Sequence, residues 1–246
     1  MNTPLLERLS TAWTGLANAS PLPWLVLTMV VYLVAMAIYK KSGSRPMLIP
    51  VFTGVLVVVG ILVLTGTPYE TYRSGVSLLG LMIGPATVAL AIPLYAQRER
   101  IKQLWLPISV ALLVGCVVAL FSALGIAWAF GGSEATLIAV APKSATIPIA
   151  LPMAERFGGT PSLAAVAVAI TGISGTMMAP LLCRLLRLKD PAVQGFAIGL
   201  TAHAIGTARS IQINPTAGAF SALAMGLNGV ATAVMMPLVL AITPWI

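Results

Sequence analysis

Charge is what this chain has least of. Six acidic and fourteen basic residues among 246 make 8% charged, while 59% are hydrophobic. A soluble domain carries about 25% charged residues, so a water-soluble core with its polar cover is excluded. Histidine occurs once and cysteine twice, too few for a zinc-type cluster. Cys116 and Cys183 lie in or beside apolar runs, as small packing residues do. HExxH, GxSxG, paired CxxC and P-loop patterns are all absent from the sequence, so nothing signals catalysis. No enzyme, metal or cofactor is expected. Short segments of alternating polarity, the mark of membrane-spanning strands, are missing too.

What the chain does have is uncharged length. Trp24–Tyr39, Pro46–Tyr69, Ser74–Gln97, Gln103–Ser133, Phe157–Cys183 and Ser210–Ile246 contain no ionisable Asp, Glu, Lys, Arg or His. A bilayer core is crossed by about 20 helical residues, and most of these runs exceed that. The fold class expected is all-α: a polytopic membrane protein, one transmembrane domain over 1–246, whose partner is the lipid bilayer. Seven to eight segments can be drawn, at 22–39, 47–66, 74–96, 104–130, 134–154, 161–183, 191–212 and 217–243. Residues 1–21, with Trp13, read as an interfacial N-terminal segment. The net charge of +8 comes largely from short loops holding Lys40, Lys41 and Arg45; Arg98, Arg100 and Lys102; Arg184, Arg187 and Lys189. That is the pattern of positive-inside loops rather than a nucleic-acid face, so no nucleic acid is expected.

The same loops test the topology. If 40–45 and 98–102 lie inside, strict alternation puts 184–189 outside, against its three cations. The conflict disappears if 134–154 enters and returns on one side. Broken or re-entrant helices are expected near 84–87 (Gly84–Pro85), 142–148 (Pro142, Pro148) and 204–207 (Gly206), because proline removes a backbone donor and irregular backbone at membrane depth survives where it lines a cavity. An inverted repeat is suggested, pairing 47–66 with 161–183 and 74–96 with 191–212, as in secondary transporters. "ATVALAIPL" at 86–94 also echoes "ATIPIALPM" at 145–153.

With so few charges, those inside apolar segments are the candidates for chemistry. Lys143 stands in "VAPKSATIPIALP", where Ser144 and Thr146 add hydroxyls. A half-helix starting after the break would aim free N–H groups at an anion. Lys143 as a snorkelling side chain is the other reading. Arg209 can grip a carboxylate bidentately or anchor a helix end. His203 can titrate near neutral pH or simply pack, and Glu134 is either a proton-coupling carboxylate or the start of a helix. Thr87, Thr207 and Asn228 complete the polar set, with Asn228 equally suited to helix packing and to substrate contact.

These stretches also carry a resemblance. "APKSATIPIA", "GGTPSLAAVAVAITGISG" and "GLTAHAIGTARSIQINPTAGAFSALAMGLNGV" occur in that order, preceded by "LTGTPYETYRSGVSLLGLMIGPATVALAIPLYAQ". After about residue 22 the chain resembles the LrgB/CidB family, antiholin-like membrane proteins related to the plant plastidal glycolate/glycerate translocator. Ala141 stands where leucine is expected before Pro-Lys-Ser, a change that leaves the chemistry alone. The resemblance implies a bacterial cytoplasmic (inner) membrane protein, oligomeric, acting with a small LrgA/CidA-like membrane partner. It also implies one of two functions: control of murein hydrolases and lysis, or transport of small 2-hydroxy or 2-keto monocarboxylates such as glycolate, glycerate or pyruvate. The residues favour transport. Lys143 and Arg209 would bind the carboxylate, Ser144, Thr146, Thr87, Thr207 and Asn228 would add polar contacts, and His203 or Glu134 would couple protons.

Overall fold

Proline, eighteen times in the chain, writes many of the helix starts. Pro50, Pro161, Pro191 and Pro215 are each the first residue of a helix, and Pro23 and Pro148 fall in first turns. There the missing N–H is one that has no partner in any helix, and the fixed φ is already helical. The computed structural model describes residue 15 and residues 20–242, so most of the interfacial segment expected at 1–21, Trp13 included, lies outside the described residues. Among the described residues the structure is helical, without strands: α1 Leu22–Lys41, α2 Pro50–Thr65, α3 Tyr69–Gly75, α4 Ser77–Ala89, α5 Ala91–Ala96, α6 Arg98–Gln103, α7 Trp105–Ala129, α8 Glu134–Val140, α9 Ile147–Arg156, α10 Pro161–Leu185, α11 Pro191–Ile213 and α12 Pro215–Ile242, with a 3-10 turn at Pro46–Leu48.

Among the described residues five stretches are long and apolar enough to cross a membrane: α1, the near-continuous Ser77–Ala96, α7, α10 and α12. Pro50–Thr65 is apolar but shorter. The break expected near 84–87 is not there. Helix α4 runs through Pro85 to Ala89, and the interruption falls at Leu90. A proline removes only one ladder hydrogen bond, which helices at membrane depth tolerate.

The described residues up to Ala89 form one compact unit and those from Leu90 another. In the first, buried Trp24 of α1 meets Tyr72 of α3 edge-on, with centroids 5.8 Å apart at 88°, and Thr28 Oγ1 lies 3.1 Å from the Tyr72 hydroxyl. Gly75 makes that approach feasible, because a Cβ there would collide with the indole.

The second unit is organised along α7. Near its start, Leu104 and Ile108 pack with Ala192, Phe196, Leu200 and Phe220. Further along, Cys116, Leu120 and Leu124 pack with Leu137 and Ile138 of α8 and with Met236 and Val239 of α12. At the α7 start Arg100 Nη2 is 2.8 Å from both carboxylate oxygens of Asp190, and Asp190 also caps α11 by accepting from Ala192 N at 2.8 Å. Helix α6 and the loop at 186–190 therefore meet.

Helix α11 is continuous only in name. His203 (φ 39°, ψ −130°) interrupts it, and the chain reverses there. Gly195 lies against Ala217 and Gly199 against Ser221, so residues 191–202 run parallel to α12. Thr207 bonds Ser221 and Gly218 lies against Ile211, so residues 204–213 run antiparallel to it. A methyl on Gly206 would strike Ile198, eight residues back, which in a straight helix would be about 12 Å away. α11 is thus a helical hairpin with its tip at His203. The break expected at 204–207 exists, one residue earlier.

Candidate functional site

The first hairpin is made by sequence that cannot stay helical. After α8, Ala141–Ala145 is a run of turn and bend, held by Lys143 N to Val140 O at 3.1 Å and Ala145 N to Pro142 O at 2.9 Å. Thr146 follows at extended angles and α9 starts at Ile147, with Pro148 in its first turn. Pro142 is fully buried. The hairpin's two arms meet α10 in one buried cluster of Ala139, Ala154 and Ala164.

The tips of the two hairpins are joined by one side chain. Asn228 stands in the middle of α12, 1% exposed. Its Nδ2 donates to the carbonyl of Ser144 at 3.0 Å and to that of Leu200 at 3.2 Å. Ser144 belongs to the first tip. Leu200 is in the last turn before His203, where reversal of the chain displaces the amide of Ala204 that would otherwise serve its carbonyl. Two carbonyl partners fix the amide's orientation, since Oδ1 cannot face them. Oδ1 is then left buried without a partner among the described residues.

Lys143 is half-buried beside this junction, with Nζ 3.3 Å from Ser144 Oγ, a long hydrogen bond; among the described residues it makes no ion pair. Ser144 is buried. Thr146 is half-buried at the N-cap of α9, and its hydroxyl does not cap the helix. Lys143, Ser144 and Asn228 are thus brought together.

The other candidates lie elsewhere. His203 is 3% exposed, and its Nε2 donates to the Val168 carbonyl of α10 at 3.0 Å. Gly172, one turn on, makes room for the ring: a Cβ there would meet Cε1 and Nε2. Thr207 and Ser221 share a buried hydrogen bond of 2.9 Å. Arg209 is about 9 Å along the helix from the tip, and its Nη1 donates to Thr176 O at 2.7 Å. Pro180, four residues after Thr176 in α10, has no N–H for that carbonyl, so Arg209 fills the place the proline vacates. Thr87 is exposed in the first unit and bonds Ile83 O within its own helix. Glu134 is exposed in the first turn of α8, where Ser133 is the N-cap.

Sequence reasoning missed Leu200, Val168 and Thr176, whose carbonyls matter rather than their side chains, and the Arg100–Asp190 pair. Two signals were present: a proline four residues after Thr176, and an aspartate directly before Pro191.

The LrgB-like family model matches residues 28–242. The chain belongs to the LrgB-like family. Over 215 residues this LrgB-like chain is 37% identical to the Bacillus subtilis (strain 168) protein YxaC, covering 87% of this chain and 93% of that one. Against YwbG of the same organism it is 35% identical, covering 88% and 96%. It is 28% identical to the antiholin-like protein LrgB of Bacillus cereus (strain B4264), covering 90% of this chain and 96% of that one. No solved structure matches. The family and the apolar helices together make this a multi-pass membrane protein.

Proposed function

We propose that this LrgB-like protein is a secondary transporter of small 2-hydroxy or 2-keto monocarboxylates in the bacterial inner membrane. The observation that carries the reading is the meeting of two broken-helix tips at Asn228, with the Lys143 ammonium alongside. Helices α9 and 204–213 both begin at the tips, so their N-terminal partial charges, of about half an elementary charge each, add to that of Lys143. Together they suit a carboxylate. The buried Oδ1 of Asn228 calls for a donor, which the hydroxyl of a 2-hydroxy acid would supply and a keto group would not.

Both hairpins are read as re-entrant. Helix α6 and the loop at 186–190 meet through Arg100 and Asp190, and between them α7 and α10 each cross once. Residues 134–156 must then return to the side they left. Thr207 and Arg209 enter this reading as supports of the second hairpin, and His203 as its proton-sensitive tip. Thr87 and Glu134 are assigned no contact with substrate. A small LrgA/CidA-like partner and a homo-oligomer remain part of the proposal.

Uptake of radiolabelled glycolate, glycerate and pyruvate into proteoliposomes tests it, with the protein alone and with its small partner. Uptake that is lost in Lys143→Ala is the expected result, and no uptake of any of the three would end the reading. The name of the Bacillus cereus relative favours a second reading, an antiholin-like regulator of lysis that holds a membrane partner. That reading expects a stable complex and altered autolysis, with Lys143→Ala harmless.

A further inference from the structure

The second unit is built twice. Helices α7 and α10 are both 25 residues long, and both ends are displaced by 56 positions, 105 to 161 and 129 to 185. A broken hairpin follows each. Under the same shift Ser144 falls on Leu200, and these two carbonyls are the ones Asn228 Nδ2 holds. One side chain at mid-helix grips equivalent atoms of the two copies, as a group on a two-fold axis would. The copies are inverted: the second hairpin has its base at the α7 start, beside Leu104 and Ile108. The first hairpin packs its α8 arm toward the other end, beside Leu120 and Leu124.

The shift carries charges with it. Arg100 maps onto Arg156, and Glu134 maps onto Asp190. Exchanging the copies therefore converts the pair Arg100–Asp190 into Arg156–Glu134, at the opposite end of the unit. Only the first pair is closed, at 2.8 Å. Among the described residues Glu134 makes no ion pair, and the Arg156 guanidinium lies 5.9 Å from the Phe157 ring centroid. Arg156 and Glu134 are both exposed, so neither is prevented from pairing by burial. The charges break the two-fold relation that the helices keep. That is the expected imbalance of a unit resting in one of two states related by exchange of the copies' conformations.

We propose that Arg100–Asp190 and Arg156–Glu134 are alternating latches, one at the base of each hairpin, of which the structure holds the first closed and the second open. The proposal rests on the carrier reading above. Exposed ion pairs contribute little, which suits latches that bias two states without trapping either, since a carrier's states must stay close in free energy.

The test uses the full chain in proteoliposomes in a Cys116→Ala, Cys183→Ala background, with Glu134→Cys and Arg156→Cys as a reporter pair. The rate of disulfide formation under mild oxidant measures closure at the second latch. Adding Arg100→Ala should raise that rate by up to about fivefold, the population shift within reach of an exposed ion pair. The conservative Arg100→Lys, which keeps the cation and leaves Asp190 on its α11 cap, should bring the rate back toward the parent's and excludes a merely damaged protein. An unchanged rate in Arg100→Ala, or a rate raised equally in Arg100→Lys, overturns the latches. Uptake of a hydroxy acid with an unresponsive reporter removes the latches alone. A responsive reporter without uptake of any acid supports the two-state device and removes the carrier reading.

Discussion

The two hairpins reverse the chain by opposite means. Residues 141–146 turn because Pro142 and Pro148 deny the helix its donors, and the turn is spread over six residues with its own short hydrogen bonds. Residues 191–213 turn at one histidine, at φ 39° and ψ −130°, a region that side chains avoid and that costs about 1–3 kcal/mol. The first reversal is written into its own residues, with Asn228 as a support from outside. The second exists because its surroundings hold it: Val168 offers a carbonyl, Gly172 leaves space for the ring, Gly195 and Gly199 let α12 close on the first arm, and Gly218 lets it close on the second. A tip that depends on its neighbours can respond to them, which a proline turn cannot do as readily.

The largest effect should come from the close approach that fixes the second hairpin. In Gly199→Val the side chain would collide with the Ser221 carbonyl. Backbone cannot step aside as a rotamer can, so the cost should reach about 3 kcal/mol or more. Gly226→Ala is the control on α12: nothing lies near its added Cβ, and it should stabilise by about 0.5–1 kcal/mol. Unfolding in mixed SDS and mild detergent measures both. Equal stability of the two variants would mean that 191–202 does not lie on α12. Next comes Asn228→Ala, which leaves the Ser144 and Leu200 carbonyls unpaired in one step and should cost about 2–4 kcal/mol. A cost near zero would mean that the tips stand without their shared clasp.

The contrast also explains what could be read in advance. Helical class, membrane setting and the break at Pro142 follow from composition and from proline chemistry, and Lys143 stands out because charge is so rare. The reversal at His203 could not be read, because "LTAHAIGTA" contains no breaker at the turning point; Gly206, the residue suspected, sits in the returning arm. The repeat with a shift of 56 was also hidden. Under it the coincidences within the long helices are small apolar residues such as Ala111 with Ala167 and Ala123 with Ala179, which apolar composition produces anyway, and the charged matches, Glu99–Arg100 with Glu155–Arg156, fall outside those helices. Arg209 was noticed for its charge, but its neighbour Thr176 O could be named only once α10 and α11 were seen side by side.

Arg209 gives the next test, because its two roles separate cleanly. If it chiefly replaces the donor missing at Pro180, Arg209→Ala should cost about 1.5–3 kcal/mol, the range for a hydrogen bond from a charged group. In a Pro180→Ala background the restored amide can reach Thr176 O, and the same substitution should cost less than half as much. A coupling of this sign in the double-mutant cycle assigns the arginine to α10. If Arg209 instead grips the carboxylate, uptake should vanish in both backgrounds whatever the stability, and the cycle should show no coupling.

The smallest effect lies at the tip itself. His203→Ala and His203→Gly both remove the bond to Val168, so their difference isolates the backbone. Alanine keeps the strain at φ 39°, whereas glycine adopts positive φ without a side-chain clash. Glycine should therefore be the more stable of the two, by about 1 kcal/mol after its greater unfolded-state freedom is allowed for. The reverse order would mean that the histidine is not strained and that the second hairpin is as self-sufficient as the first. The glycine variant also keeps the reversal while removing the imidazole. With Nε2 donating to Val168, the ring keeps Nδ1 for a second proton, and that is the only route by which His203 could couple proton movement to substrate. Uptake by His203→Gly that continues but no longer responds to an imposed pH gradient would separate the two duties of this residue, turning the chain and carrying the proton. Uptake that keeps its response would leave His203 the first duty alone.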